Sequence, residues 1–375
     1  MSKRVLIVTE EWAGSGHRMA ALALQQALQE ASAQSQVDVL DGLNTISPLL
    51  RKLSCVSYLG SLRYFPEAWD RLYARDRLLS HALKKPLGTI LGRRMLQRVI
   101  EQLEPDTVVA THAYCLSALA EAKKQARHPF SLVSVCTDFH VNEFWIHPFI
   151  DAYVVANDEI GQQVSQRYHI SPASIFPFGI PLRTPFAKES GRRKKEWRER
   201  LGLKGNQFTI MVCGGEGGYG KIKEVVERII QLGRPLQILV VTGNNRKLQQ
   251  ALEQSIGRRA MPHMVHVLGY IKEIWAYMGA SDVIVTKPGG VTCSEALAMQ
   301  TPMILFHPLP GQERKNSQFL REQQLAEEAK NVEEIAQILE RWQSRQEDHQ
   351  QRSSRMQQFS RPDAAYHIAD MILRL

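Results

Sequence analysis

The sequence lacks the features that mark secreted, disulfide-bonded and membrane-spanning proteins. Its five cysteines are an odd number and form no C-x-x-C pair, so we expect neither a disulfide framework nor a zinc site, and a reducing cytosol fits. Residues 5–8 are the apolar run nearest the start, and four residues are too few for the core of a signal peptide. No run approaches the roughly 18 apolar residues that a membrane-spanning helix needs. We therefore expect a cytoplasmic protein that can still touch a membrane surface.

Signatures of several common nucleotide-dependent enzymes are also missing. No spaced G-x-G-x-x-G follows the first predicted strand, and no G-K-[ST] segment occurs. These absences argue against a dinucleotide-dependent dehydrogenase and against a P-loop NTPase. The chain has no D-x-D triplet either. We expect no cofactor and no strict requirement for a divalent metal.

Positive charge is in excess but is unevenly distributed. The formal net charge is +9, and the segment from Arg51 to Arg98 holds eleven Lys or Arg against three acids. Apolar residues such as Leu49, Leu53 and Val56 recur every three or four positions and are interleaved with basic residues. The candidate membrane contacts are Arg51, Lys52, Arg63 and Trp69. This pattern suits a helix on an anionic bilayer surface, although an ordinary amphipathic helix with a solvated basic face explains it too. Nucleic acid would also attract such a patch, but no nucleic-acid-binding motif accompanies it.

Short β-rich runs alternate with amphipathic stretches long enough for helices, which is typical of parallel βαβ units. The predicted strands cover residues 4–9, 37–40, 107–111, 132–137, 152–155, 209–213, 237–242, 264–267, 283–286 and 303–306. Residues 181–207 contain prolines, glycines and a run of charges, so we place an interdomain link there. The predicted fold class is α/β, with two Rossmann-like doubly wound domains.

Glycines, histidines and acids gather directly after the predicted strands. Seven strand ends are followed by EWAGSGH, His112, Asp138, GGEGGYG, GNN, KPGG and HPLPGQE. Ligands bind beyond the carboxyl ends of the strands in open parallel sheets. A single site in a cleft between the two domains explains this distribution better than two separate sites.

Two glycine-rich loops in the second half could hold phosphate. Residues 214–220 follow a strand and precede a helix, so their backbone N–H groups can approach phosphate oxygens, although a tight turn would need the same glycines. Gly289 and Gly290 repeat that chemistry before a helix predicted at 293–299, which places Glu295 in its first turn. The Glu295 carboxylate either complements the helix dipole or accepts hydrogen bonds from ribose hydroxyls.

Gln312 and Glu313 follow the last predicted strand, before a helical stretch. Their amide and carboxylate could contact a polyhydroxylated sugar. The alternative is that both residues cap the helix that follows.

The sequence resembles the glycosyltransferase family that contains the bacterial processive diacylglycerol glucosyltransferases and the plant monogalactosyldiacylglycerol synthases. The resemblance is carried by AGSGHRMAALALQQAL, VCTDFHVNEFWIHPFIDAYVVANDEI, FGIPLRTPF, the glycine-rich loop and, most specifically, TKPGGVTCSEALAMQTPMILFHPLPGQERKN. It implies a GT-B fold. A lipid-binding domain is then expected at 1–180, a UDP-sugar-binding domain at 181–360, and a last helix at 361–375 that crosses back to the first domain.

The resemblance also implies which residues contact the UDP-sugar, namely Gly214, Gly215, Gly218, Gly289, Gly290, Thr292, Glu295, Gln312 and Glu313. Within this set, residues 289, 290 and 292 would line the diphosphate, Glu295 would hold the ribose, and Gln312 with Glu313 would contact the hexose. Helix N-termini and the glycine loops would then stabilise the diphosphate without a metal.

A base near the acceptor is implied by the same resemblance. His17 matches the histidine of the family's G-G-G-H loop, which here reads Ala13-Gly14-Ser15-Gly16-His17. An unperturbed histidine pKa near 6.5 suits proton removal at neutral pH. Asp138 is either a rival base or the group that orients His17, and Gly16 and His112 are expected on the acceptor side, where His112 could equally be structural.

The implied reaction is an inverting transfer of a hexose from a UDP-sugar to a lipid hydroxyl, with diacylglycerol as the expected acceptor, at the inner face of the cell membrane. Three alternatives use a similar fold. They are a UDP-N-acetylglucosamine transferase acting on another lipid-linked acceptor, a UDP-sugar 2-epimerase, and a non-catalytic UDP-sugar sensor. The residues do not distinguish glucose from galactose or N-acetylglucosamine.

Overall fold

The structure is a computed structural model that describes residues 3–11, 14–64, 88–218, 220–257, 262–344 and 346–375. The chain forms two compact units. The first unit comprises Met1–Thr184, Pro310–Gln312 and Arg361–Leu375, and the second comprises Pro185–Leu309 and Glu313–Ser360.

Each unit is built on one parallel sheet, with six strands in the described part of the chain. The strand order is β2-β1-β3-β4-β5-β6 in the first unit and β12-β11-β10-β7-β8-β9 in the second. The strands are β1 Arg4–Thr9, β2 Gln36–Asp41, β3 Thr107–Ala110, β4 Ser131–Val135, β5 Ala152–Val154, β6 Ile175–Phe176, β7 Thr209–Cys213, β8 Gln237–Val241, β9 Met264–Leu268, β10 Val283–Thr286, β11 Met303–Phe306 and β12 Ala326–Ala329. The predicted doubly wound α/β class is confirmed.

Helices connect the strands within each unit. In the first unit they are Ser15–Ala31, Gly42–Ile46, Pro48–Tyr64, Ala113–Gln125, Asp158–Tyr168 and Ala364–Arg374. A further helix at residues 88–95 continues through a π-helical turn at Leu96–Ile100 into Glu101–Leu103. Short 3-10 turns lie at Glu143–Trp145 and Pro172–Ser174. The boundary helix is Thr184–Glu189. The remaining helices are Lys194–Arg200, Ile222–Ile229, Arg246–Ile256, Ile274–Ala280, Gly290–Ala298, Gln312–Glu322, Val332–Ser344 and Gln346–Phe359.

The last helix packs into the core of the first unit. Ile368 and Ile372 lie on one face of Ala364–Arg374 and are fully buried in the same cluster as Leu24 and Leu28 of Ser15–Ala31. Residues three or four apart share a helix face, so the alanines and leucines of Ser15–Ala31 and the alanines and isoleucines of Ala364–Arg374 form matching apolar stripes. The second unit has its own core between its sheet and helices. No helix in the described ranges has the length and apolar character needed to cross a bilayer.

All ten predicted strands are present. Four have the predicted bounds, and the others differ by up to two residues at an end. Two strands, β6 and β12, were not predicted, and both lie at sheet edges. β6 has two residues and β12 reads AEEA. Short, charged edge strands carry little apolar signal.

The predicted interdomain link at 181–207 contains ordered helices. Lys194–Arg200 has Trp197 fully buried, with the Arg192 and Arg200 guanidinium carbons 4.9 and 5.4 Å from its ring centroid. The charge run therefore folds around an aromatic anchor. The division between the units lies at Thr184.

Candidate functional site

The strand order reverses once in each sheet. The reversal lies between β1 and β3 in the first unit and between β7 and β10 in the second. Loops at the carboxyl ends of two such strands form the usual ligand crevice of doubly wound sheets. The segment before His17 follows β1, and His112 follows β3. In the second sheet, the loop at 214–220 follows β7, and the loop at 287–290 follows β10.

In the first unit, His17 is held by the ends of two strands. Its Nδ1 lies 3.0 Å from the carbonyl oxygen of Thr111 and 2.7 Å from Oγ1 of Thr137. The Thr111 hydroxyl donates to the carbonyl oxygen of His17 at 3.2 Å. Gly16 lies in the same first turn of Ser15–Ala31. The ring is therefore held by hydrogen bonds rather than freely solvated.

His112 packs edge-on against His17, with ring centroids 4.4 Å apart. Its Nδ1 accepts a hydrogen bond from the backbone N–H of Tyr114 at 3.2 Å and so caps the helix Ala113–Gln125. The sequence suggested either an acceptor-side role or a structural role for His112, and this contact is structural. A cap of this kind satisfies a backbone donor that has no partner within its helix.

Burial keeps both histidines neutral. It lowers the pKa of His17 below 6.5, although the Asp138 carboxylate and the Thr111 carbonyl partly oppose that shift. Burial, and next the charge of His17, hold the pKa of His112 well below 6.5. At neutral pH His17 is thus able to accept a proton.

Asp138 is buried at the end of β4. Its Oδ2 accepts a hydrogen bond of 3.2 Å from Nε2 of Gln312, which belongs to the first unit. The carboxylate therefore acts on His17 through charge while it is already engaged by an amide. This arrangement suits a group that tunes a base.

In the second unit, the glycine loop after β7 is braced by the loop after β8. Gly218 has φ +59°, and a Cβ there would lie 2.5 Å from the carbonyl oxygen of Thr242. The backbone and side-chain amides of Asn244 donate to the Glu216 carbonyl at 2.7 Å and to its carboxylate at 2.9 Å. The tight-turn interpretation thus explains Gly218. Gly215 has φ +71°, so the turn favours glycine there too, although a Cβ would meet nothing within 4 Å.

The loop after β10 enters its helix earlier than predicted. The helix is Gly290–Ala298, with Gly289 as its N-cap and Thr292 as its third residue. The predicted position of Glu295 in the first turn is wrong, because the first turn holds no acid and Glu295 is buried one turn later. The glycines suggested a loop, but a helix N-terminus accepts them readily. Dipole complementation therefore does not explain Glu295, since that effect fades beyond the first turn.

Gln312 and Glu313 begin the helix Gln312–Glu322 instead of preceding it. Glu313 Oε1 lies 2.8 Å from Nζ of Lys287, and Oε2 accepts from the backbone N–H of Leu309 at 2.8 Å. The Leu309 N–H lies three positions before the first helical residue, so this contact holds the preceding turn and does not cap the helix. The ion pair of Glu313 with Lys287 joins the loops after β10 and β11. Lys287 was not predicted as a partner of Glu313, although its position directly after a strand could have indicated a functional residue.

The basic helix Pro48–Tyr64 exposes apolar residues. Leu49, Leu53 and Val56 are 68%, 59% and 72% exposed, and Lys52 is exposed beside them. Arg51 instead pairs with Asp41 at 3.3 Å. The Arg63 side chain and Trp69, which were also predicted membrane contacts, lie outside the residues that the structure describes.

Two family models match the chain in tandem. The model for monogalactosyldiacylglycerol (MGDG) synthase covers residues 17–182, and the model for the glycosyltransferase family 28 C-terminal domain covers residues 209–368. Processive diacylglycerol beta-glucosyltransferases of Bacillus thuringiensis (strain Al Hakam) and Bacillus cereus (strain AH820) are each 29% identical over 371 residues. These matches cover 99% of this chain and 93% of each relative.

Solved structures share the fold over the full length. MurG from Acinetobacter baumannii has a TM-score of 0.64 at 14% identity, covering 100% of both chains. UDP-GlcNAc 2-epimerase from Neisseria meningitidis, bound to UDP-GlcNAc, has a TM-score of 0.59 at 12% identity, covering 99% of this chain and 100% of that one. These likenesses support the predicted GT-B fold of two Rossmann-like domains. The chain is a glycosyltransferase with an MGDG synthase domain followed by a glycosyltransferase family 28 C-terminal domain, and over nearly its whole length it is similar to the processive diacylglycerol beta-glucosyltransferases.

Proposed function

We propose that this glycosyltransferase is a membrane-associated, inverting enzyme that moves a hexose from a UDP-sugar to a hydroxyl of diacylglycerol. The observation that carries the proposal is the position of both glycine loops on β7 and β10, the strands at the reversal point of the second sheet. Doubly wound folds bind nucleotide phosphates at such points. The names of the full-length relatives support diacylglycerol as the acceptor.

The second unit offers most of the donor contacts. A Cβ at Gly289 would meet nothing within 4 Å, so a phosphate can approach the N-terminus of Gly290–Ala298, where backbone N–H groups and the helix dipole favour an anion. Glu295, buried one turn further on, would accept hydrogen bonds from the ribose hydroxyls. Gln312 and Glu313 would contact the hexose, with Glu313 oriented by Lys287. The N-terminus of Gly290–Ala298 would stabilise the negative charge of the departing diphosphate, and no metal enters the proposal.

In the first unit, His17 would act as the base. Its neutral ring takes the proton from the acceptor hydroxyl, whose oxygen attacks the anomeric carbon from the face opposite the diphosphate. The bond from that carbon to the diphosphate oxygen breaks, UDP leaves, and an α-linked donor gives a β-glycoside. Asp138 raises the pKa of His17 and so increases its basicity. We assign Asp138 this tuning role because its carboxylate is already engaged by Gln312.

The basic helix Pro48–Tyr64 would contact the inner face of the cell membrane. Leu49, Leu53 and Val56 recur at helical spacing, and their exposed side chains stand beside Lys52. Apolar residues flanked by cations suit an anionic bilayer surface. Cosedimentation with anionic liposomes should weaken as salt rises, because ions screen surface charge. Equal binding to neutral and anionic liposomes would refute this part of the proposal.

The deciding experiment measures UDP release from UDP-glucose, UDP-galactose and UDP-N-acetylglucosamine, each with and without diacylglycerol in anionic mixed micelles. We expect release from one donor only when the lipid is present, and the glycolipid product should carry a β-linkage. His17→Gln, which lacks the proposed base, is the matched control with strongly reduced transfer. Release without lipid would favour hydrolysis or epimerisation. UDP binding without release for any donor would favour the sensor alternative and refute the proposal.

A further inference from the structure

The two oxygens beside Nδ1 of His17 determine which ring nitrogen is available for chemistry. One of them is the carbonyl oxygen of Thr111, at 3.0 Å. A carbonyl oxygen can only accept a hydrogen bond, so Nδ1 must carry the proton when this bond forms. The lone pair of the neutral ring then lies on Nε2. The hydrogen bond at one nitrogen thus selects the tautomer and leaves the other nitrogen to act as a base.

The second oxygen is Oγ1 of Thr137, at 2.7 Å from Nδ1. Thr137 is 2% exposed and lies just beyond the end of β4, whereas Thr111 lies just beyond the end of β3. Both anchor points thus closely follow neighbouring strands of one sheet. Because the Thr111 hydroxyl also donates to the His17 carbonyl, the backbone and the ring of His17 are both held.

We propose that Thr137 is a positioning residue for the transfer reaction, holding His17 through Nδ1 so that Nε2 faces the acceptor hydroxyl. This inference rests on the proposed role of His17 as the base. Bases in acid–base catalysis are commonly oriented by a third group behind the ring. Here a threonine hydroxyl and a backbone carbonyl occupy that place.

Protonation of Nε2 strengthens the contact with Thr137. The imidazolium donates through Nδ1 more strongly than the neutral ring does, because hydrogen bonds from charged groups are stronger. Loss of the Thr137 oxygen should therefore destabilise the protonated ring and make His17 a weaker base. The other titratable groups acting on the ring are His112, whose ring packs edge-on against it, and Asp138, whose charge favours protonation. Neither is altered by substitution of Thr137.

The first test compares Thr137→Val, which keeps the shape and removes the oxygen, with Thr137→Ser, which keeps the oxygen. We expect Thr137→Val to lower kcat about 10-fold, as expected for loss of a hydrogen bond to a charged group, with the KM for the UDP-sugar unchanged. The acid limb of the kcat profile should move to lower pH, and Thr137→Ser should restore both the rate and the profile. Wild-type kcat and an unshifted acid limb in Thr137→Val would overturn the proposal.

The second test places Thr137→Val in a His17→Gln background. If Thr137 acts through His17, the double variant should transfer sugar no more slowly than His17→Gln alone. An equal further loss in both backgrounds would show a general structural effect and overturn the proposal.

A third measurement does not depend on activity. In enzyme labelled with 15N-histidine, the signal that disappears in His17→Gln reports the His17 tautomer. We expect the Nδ1–H form in both wild type and Thr137→Val, because the Thr111 carbonyl is retained, and protonation of the ring at a lower pH in Thr137→Val. An Nε2–H form in wild type would overturn the proposal. If the tautomer is as expected but His17→Gln transfers sugar at the wild-type rate, the base assignment in the proposed function fails while the hydrogen-bond geometry holds.

Discussion

Replacement of Gly289 by alanine should separate ligand binding from folding. Gly289 has φ −72°, which any L-residue adopts, and a Cβ there would meet nothing within 4 Å. Alanine is less favourable than glycine at a helix N-cap, which lowers stability, but it also reduces the conformational freedom of the unfolded chain, which raises stability. We expect the free energy of unfolding to change by less than about 1 kcal/mol.

The same methyl group should interfere with UDP. It would occupy the open space beside the N-terminus of Gly290–Ala298, where the diphosphate is proposed to lie. Displacing one phosphate oxygen from a backbone N–H removes a charge-assisted hydrogen bond worth about 1.5–3 kcal/mol. That loss corresponds to a roughly 10- to 150-fold increase in the Kd for UDP.

Calorimetric titration with UDP and urea unfolding of the same samples measure the two quantities. Gly218→Ala is the matched control, because Gly218 has φ +59° and its Cβ would lie 2.5 Å from the carbonyl oxygen of Thr242. That variant should lose at least about 1 kcal/mol of stability from the left-handed backbone alone. An unchanged Kd in a stable Gly289→Ala variant would refute the placement of the diphosphate.

Three further predictions concern other parts of the two units. Glu295→Gln should weaken the binding of UDP by about 1–3 kcal/mol but weaken the binding of 2′-deoxy-UDP much less. Equal losses of binding free energy for the two nucleotides would contradict the ribose contact. His17→Gln should lower transfer about 10²- to 10⁴-fold, the usual contribution of a general base, and spare UDP binding. Because the wild-type pKa of His17 is lowered, the wild-type rate should hold as pH falls to 6.5 and decline below it; a decline that begins above 6.5 would contradict this assignment. Asp282→Asn should destabilise the second unit by about 3 kcal/mol, the usual cost of breaking a buried ion pair, because Oδ1 and Oδ2 contact Lys194 and Arg198 at 2.8 and 2.6 Å. Burial raises the pKa of Asp282, but these two cations outweigh it and lower the pKa, so the urea-midpoint difference from wild type should persist down to pH 3.8 and shrink below it.

Most of the fold could be predicted because buried parallel strands have a strong local signal. Runs such as residues 237–241, with four β-branched or leucine residues after Gln237, are apolar on both faces because helices cover both sides of the sheet. Edge strands lack that signal, so β6 and β12 were missed. The start of Gly290–Ala298 was also misplaced, since glycines permit both a loop and a helix N-terminus.

The candidate site could be predicted only as a set of loops. Strand ends identified the segments that carry His17, Asp138 and Glu295, because ligands bind beyond the carboxyl ends of parallel strands. The partners of these side chains could not be predicted. Glu313 pairs with Lys287, 26 positions away, and local sequence patterns carry no information about such contacts.

The sequence by itself determined the alternation of strands and helices, the two doubly wound units and the polar residues at the strand ends, because hydrophobic periodicity and turn chemistry are local. Only the tertiary structure decided the order of the strands, and with it that the loops after β7 and β10 are neighbours. It also decided that Nδ1 of His17 meets Thr111 and Thr137, which are 94 and 120 positions away. Such contacts depend on how the crossover connections bring distant strands side by side, and no short stretch of sequence encodes that arrangement.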